Sequence, residues 1–277
     1  MNSIILFLLS LFFVSFRDLP RTLSDDGFFP GSCLDAAVSD EAFCSFKQNP
    51  RFNLHAEFYT YEEGAAFLEK ILKEAPFLTQ KFELFRNNDT IGAPCVFDYQ
   101  EFGYFSPTTL YYAKFAAELT HEFGALDGYR IVEIGGGCGG LCKIISDIAN
   151  FESYTLVDLP ECLELAKRTL NALGVKKVYY LTPELVNEKE YDLIISDYGF
   201  SLYGSKMQKQ LIQKVLANSR RGFLACNFFS KHFKIRPFNR QELLKKLKNS
   251  QLPVVLKEQE PLLGKNHCIL TWNKQAK

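Results

Sequence analysis

The sequence predicts an α/β chain built on a mostly parallel, doubly wound, Rossmann-like sheet, and three observations predict it. From Arg130 onward, short apolar runs alternate with segments of helical period. The first of those runs, Ile131-Val132-Glu133-Ile134, feeds directly into Gly135-Gly136-Gly137-Cys138-Gly139-Gly140. The next run, Ser153 to Val157, closes on an acid, Asp158. Alternation of this kind buries both faces of a sheet under helices.

Taken in order, residues 1–20 form an apolar N-terminal segment. Ile4 to Phe16 is almost wholly apolar, but it is shorter than the roughly 20 residues of a spanning helix. Met1-Asn2-Ser3 carries no basic residue, and no small-x-small cleavage site follows. A signal-like or membrane-associating segment, an over-extended start and a docked helix all fit. A weak membrane association through residues 4–16 is therefore one expectation.

Residues 21–125 read as a mainly helical extension, or lid. Thr60 and Glu63 have capping-box spacing, Phe67, Ile71 and Leu72 supply an apolar stripe, and Pro76 ends it. Asn87 to Pro94 is dense in turn formers and predicts an ordered loop. Ser106 is placed to cap a helix with Pro107 at its first position, running Thr108 to Phe123 and stopping at Gly124.

Residues 126–277 hold the sheet. Strands are expected at Arg130–Ile134, Ser153–Val157, Lys177–Leu181, Tyr191–Ser196, Gly222–Asn227, Pro253–Glu258 and His267–Trp272. Helices are expected at Gly139–Ala149, Pro160–Leu173, Lys206–Ala217 and Gln241–Leu247, the third with Met207, Leu211 and Val215 on its apolar face.

Composition narrows the function. With 277 residues, 47% hydrophobic and 14% aromatic, the chain has a core to bury and is not a disordered one. The formal net charge of zero excludes a globally basic nucleic-acid coat, and no DNA partner is expected. That zero is a sum: residues 1–125 hold 9 Lys or Arg against 17 Asp or Glu, and residues 126–277 hold 23 against 15. Opposite signs favour docking of the first part on the second. Eight scattered cysteines, often inside apolar runs, read as reduced and mostly buried, with a Cys33–Cys44 bridge as the alternative. Cys138 and Cys142 have no second pair beside them, so no metal site is expected.

The glycine turn carries the chemistry. Gly135, Gly137 and Gly140 satisfy G-x-G-x-x-G, a pattern that by itself does not separate NAD from S-adenosylmethionine. The candidate cofactor-binding residues are Glu133, Gly135, Gly137, Gly139, Asp158 and Asp197. Glu133, near the end of its strand, can meet a cationic amino group, and Asp158, about 20 residues on, suits ribose hydroxyls. The turn comes late in the chain, which leaves no room downstream for a dehydrogenase's catalytic domain. With its apolar closing strand, the sheet resembles that of class I methyltransferases, which implies seven strands with the last one antiparallel.

The resemblance extends further. Phe46-Lys47, Asn88 to Pro94, Ser106-Pro107-Thr108-Thr109-Leu110, Ile131 to Gly140 and Asp192 to Ser201 together resemble the bacterial sugar O-methyltransferase family, over roughly residues 40–272. That resemblance implies S-adenosyl-L-methionine as donor and a sugar, nucleotide-sugar or glycan hydroxyl as acceptor. The sequence departs from the family pattern at Tyr111, Cys138, Leu141 and Leu202. An inactive cofactor-binding module is therefore carried as an alternative, beside an RNA or other small-molecule methyltransferase.

Methyl transfer to a hydroxyl profits from a general base. Asp197 and Tyr198 end the fourth strand at the ligand-binding edge, so Asp197 is the first candidate base and Tyr198 a pocket wall. Among the four histidines, His232 is preferred as a second catalytic candidate, ahead of His267, because it follows the fifth strand. Asn88, Asp89 and Thr108 are candidate acceptor or lid residues, with loop and helix capping as the plain structural reading. Between Gly204 and Gln251 the chain has twelve Lys or Arg and one acid, Glu242, which suits an anionic acceptor at Arg236 and Arg240. Lys245, Lys246 and Lys248 read as a solvated helix face. Because S-adenosylmethionine is an intracellular metabolite, a cytoplasmic location is expected.

Overall fold

The computed structural model describes residues 22–228, 235–261 and 266–274. Seven strands form one sheet: β1 (Arg130–Ile134), β2 (Ser153–Val157), β3 (Val178–Leu181), β4 (Tyr191–Asp197), β5 (Ser219–Asn227), β6 (Val255–Lys257) and β7 (His267–Asn273). Their order is β3-β2-β1-β4-β5-β7-β6. The pairs β3-β2, β2-β1, β1-β4 and β4-β5 are parallel, and β7 runs antiparallel to both β5 and β6. This is the Rossmann-like class I methyltransferase sheet. Strand order reverses between β1 and β4, which opens a crevice at their carboxyl ends.

The helices are α1 (Phe29–Val38), α2 (Asp40–Ser45), α3 (Pro50–Ala56), α4 (Tyr61–Glu74), α5 (Phe82–Phe85), α6 (Pro107–Phe123), α7 (Gly140–Ile148), α8 (Pro160–Ala172), α9 (Gly199–Leu202), α10 (Ser205–Lys214) and α11 (Arg240–Asn249). Among the described residues before β1 the chain is therefore mainly helical, with a small antiparallel ribbon pairing Phe97–Asp98 with Tyr104–Phe105.

Alternate residues of the strands feed two cores. Ile131, Leu193, Ile195, Phe223 and Ile269 pack with α4, α6 and α7. Val132, Ile134, Ile194, Leu224 and Leu270 pack with Leu211 of α10, with Val215 just after it, and with Leu243 and Leu247 of α11. Lys245, Lys246 and Lys248 are exposed, so that run is a solvated face. A third cluster joins Phe29 and Cys33 of α1, with Phe46 and Phe52, to Cys138, Leu159, Cys162 and Leu165. Arg168 of α8 adds polar contacts, donating to the carbonyls of Ala36 and Ala37 at 3.2 Å and pairing with Asp40.

Strand limits differ from the sequence reading where backbone geometry intervenes. Lys177 has φ 62° and cannot continue a strand, so β3 starts at Val178. Pro253 has no N–H for a ladder, and β6 is a short edge strand of exposed residues. β5 starts earlier than expected because Ser219 and Arg221 still pair with Tyr191 and Leu193.

Cysteines are free throughout: Cys44 and Cys95 are exposed, and the other six are buried. The sulfur beside Cys33 belongs to Cys162, at 3.8 Å, and not to Cys44.

The localisation expectation is corrected. No helix among the described residues is long and apolar enough to cross a membrane, and the run 4–16 lies outside them.

The entry to α6 is a knot around one carboxylate. Asp89 accepts hydrogen bonds from Ser106 N at 2.8 Å, Ser106 Oγ at 2.7 Å and Thr109 Oγ1 at 2.6 Å, while Ser106 Oγ accepts from Thr109 N at 3.0 Å. Asp89→Ala would strand these donors, so it should cost about 2 kcal/mol or more. Urea unfolding should show a lower midpoint at unchanged slope.

Candidate functional site

At the carboxyl edge of β1, β2 and β4 lies a cavity of about 800 Å³. From β1 and its turn it takes Glu133, Gly135, Gly136 and Gly137; from the end of β2, Asp158; from β4 and its turn, Asp197, Tyr198 and Gly199. The segment before the sheet adds Tyr59, Thr108, Tyr111 and Tyr112, and β5 and β7 add Asn227 and His267.

Gly135 has φ +83°, and a Cβ there would lie 2.4 Å from Gly199 Cα. Only two glycines allow the turns after β1 and β4 to meet backbone to backbone. Gly137, with φ +54°, has nothing within 4 Å of where a Cβ would sit. Its open side and its place in the lining leave room for a ligand against the main chain. Gly139 is not in the lining; it is the N-cap of α7, where a Cβ would press on Leu170 at 2.9 Å.

Asp158 grips this turn. Its Oδ2 accepts from Gly137 N at 2.8 Å and its Oδ1 from Leu159 N at 2.7 Å. Burial pushes its pKa up to about 6, against the pull of those two amides. Each carboxylate oxygen keeps a second acceptor position. Glu133 is buried and accepts from Tyr154 Oη at 2.6 Å. Burial raises it to about 8 despite that hydrogen bond, with Asp197 and Asp158 adding repulsion.

Asp197 is the last residue of β4, and its Oδ1 accepts from Tyr111 Oη at 2.7 Å. Burial raises it to about 6, against the hydrogen bond from Tyr111. Tyr59 stacks on Tyr111 with ring centroids 4.7 Å apart, forming one aromatic wall. Tyr198 has φ 60°, a left-handed conformation that costs a bulky residue energy and is retained where surrounding structure enforces it. Its Oη lies 2.8 Å from Oε1 of the buried Gln259 and 3.2 Å from His267 Nδ1. Burial lowers the pKa of His267, which favours the neutral ring.

Of the expected site residues, Glu133, Gly135, Gly137, Asp158, Asp197, Tyr198 and Thr108 share the cavity. Asn88 and Asp89 do not line it. Asn88 donates to Thr109 Oγ1 at 2.7 Å, and its carbonyl accepts from Lys47 Nζ at 3.0 Å, so both residues brace α6. His232 lies outside the described residues, and the histidine found in the lining beside Tyr198 is His267. Arg236 pairs with Glu242 and Arg240 lies over Phe228; neither lines the cavity. In the sequence Tyr59, Tyr112 and Asn227 have no site role, and Tyr111 is marked only as a departure from the family pattern. The signal available for Tyr111 and Tyr112 was their place in the first turns of the helix capped by Ser106.

No family model matches the chain. A 98-residue stretch, 34% of this chain, is 29% identical to 44% of the protein-L-isoaspartate O-methyltransferase of Pyrococcus abyssi, so the chain spans under half of that relative's length. A S-adenosylmethionine-dependent methyltransferase from Clostridium acetobutylicum superposes with TM-score 0.46 and 14% identity over 58% of this chain and 89% of that one. The N-terminal domain of EvdMO1, solved in the presence of SAH and D-fucose, gives 0.48 and 14% over 59% and 83%.

A buried acid with a raised pKa binds a proton in the folded state that the unfolded chain releases. For Glu133 that stability is present at low pH and is lost as pH rises toward about 8. Glu133→Gln, which keeps an acceptor for Tyr154, should therefore flatten the fall in unfolding free energy between about pH 5 and pH 8. Denaturant titrations at the two pH values read this directly.

Proposed function

We propose that this chain is a S-adenosylmethionine-dependent O-methyltransferase acting on a hydroxyl of a sugar or glycoconjugate precursor. The observation that carries the reading is one cavity holding Glu133, the Gly135–Gly137 turn, Asp158 and Asp197 at the ends of adjacent strands. The match to the protein-L-isoaspartate O-methyltransferase supports the transferase part. The sugar acceptor rests on the sequence resemblance.

The residues present fit the donor. Asp158 has acceptor positions left for a ribose diol, Gly137 leaves backbone open to the cavity, and Glu133 can take a cationic ammonium. When bound, the donor supplies an electrophilic methyl on a sulfonium. Asp197, held by Tyr111, favours positive charge at the edge of β4 and is placed to accept the proton of an acceptor hydroxyl. A base with a pKa of about 6 is ionised at neutral pH and still basic enough to assist. Tyr59, backed by the buried Tyr111 ring, offers an aromatic wall to an acceptor, and Asn227, with the Tyr198–His267 pair, offers polar groups. Orientation of this kind supplies much of the acceleration of an in-line displacement.

Incubation with methyl-labelled donor and a pool of nucleotide sugars and glycans, followed by mass spectrometry, should show label on a sugar oxygen, lost in Asp197→Asn. Label appearing only on RNA or protein would overturn the sugar reading. Calorimetry at pH 7 in buffers of differing ionisation enthalpy should detect release of up to about one proton on donor binding, because the ammonium draws Glu133 to its charged form. Glu133→Gln should abolish that release.

A further inference from the structure

Lys114 lies one turn beyond Tyr111 on α6, and Glu118 one turn beyond that. Both are buried inside the protein, and neither lines the cavity. Lys114 Nζ is 2.9 Å from Glu118 Oε1 and 5.4 Å from the centroid of the Tyr111 ring. The Tyr111 hydroxyl in turn holds Asp197. Burying an ion pair costs desolvation that an apolar pair of the same size avoids, so stability alone is a weak reason for charge at this place.

We propose that Lys114 and Glu118 are positioning residues that set the charge of Asp197 from beneath the Tyr111 ring, and so tune the site for a cationic donor. This rests on the reading of the cavity as a donor site. The groups facing Asp197 come from four directions. Tyr111, Tyr112, Lys114 and Glu118 belong to α6, and Tyr59 precedes α4. Glu133 comes from β1, and Tyr198, which follows Asp197 in the chain, has His267 of β7 at its hydroxyl. Lys114 is the cation among them, and it favours the carboxylate of Asp197; Glu118 opposes it. Glu118 has in turn Glu74 and Lys70 beside it. Since burial already brings Asp197 to about 6, a small change in this pair alters its charge close to neutral pH.

The test is a carbon-13 carboxyl titration of the aspartate-labelled full chain, with the Asp197 resonance assigned by its loss in Asp197→Asn. Lys114→Met should raise the Asp197 midpoint and Glu118→Gln should lower it, each by about half a pH unit. The double variant Lys114→Met/Glu118→Leu leaves no lone buried charge and should return the midpoint to near the wild-type value, and Glu118→Gln tests the proposal by itself if Lys114→Met folds poorly. A Glu118→Gln midpoint that stays put or rises, or single-variant midpoints that move in the same direction, would overturn the proposal. Equilibrium dialysis with labelled S-adenosylmethionine reports separately on the donor reading, because the carboxyl titration needs no ligand.

Discussion

Gly135 and Gly199 meet backbone to backbone where β1 and β4 diverge, and the rest of the site is arranged around that contact. A side chain on either would force the two turns apart and fill the crevice that the reversal of strand order opens. With the turns in contact, Gly137 faces open space and Asp158 can reach across from β2 to hold its amide. The same carboxylate thus fixes the loop and faces the cavity. A substitution at Asp158 will act on both, and loss of binding there cannot be divided simply into a lost contact and a loosened turn.

The helical part before the sheet supplies the opposite wall. Its α6 is anchored at one end by the Asp89 knot, and its first turns deliver Thr108, Tyr111 and Tyr112 to the cavity. Tyr111 connects the two parts chemically, because its ring packs in the helical layer while its hydroxyl holds the carboxylate at the end of β4. The opposed charges of the two sequence halves contribute pairs such as Lys257–Glu122 and Arg168–Asp40. Lys70–Glu260 runs in the other sense, and exposed pairs of this kind contribute little each. Apolar contact through α1, α6, α7 and α8 does most of the docking.

Much of this was legible in the sequence because it depends on local rules. The Thr60–Glu63 box and the Ser106 cap appear as the spacing predicts, since both are satisfied within one turn of helix. Glu133, Asp158 and Asp197 could be placed because strand ends converge on one edge of a parallel sheet. The aromatic wall was not legible, because Tyr59 and Tyr111 stack across 52 positions of chain and nothing in their spacing announces it. Asn88 and Asp89 show the converse. A dense local motif suggested ligand contact, while the Asp89 carboxylate holds the start of α6 and the Asn88 amide donates to Thr109 beside it.

On the proposed function, the glycine turn, Asp158 and Glu133 receive a nucleoside with a cationic amino-acid tail, and not a dinucleotide. Calorimetric titration of the full chain with S-adenosylmethionine and, separately, with NAD tests this most directly. One-to-one binding of S-adenosylmethionine is expected, weakened at least tenfold, about 1.4 kcal/mol, in Asp158→Ala, with no heat from NAD. Binding of NAD without S-adenosylmethionine, or S-adenosylmethionine affinity untouched by Asp158→Ala, would contradict it.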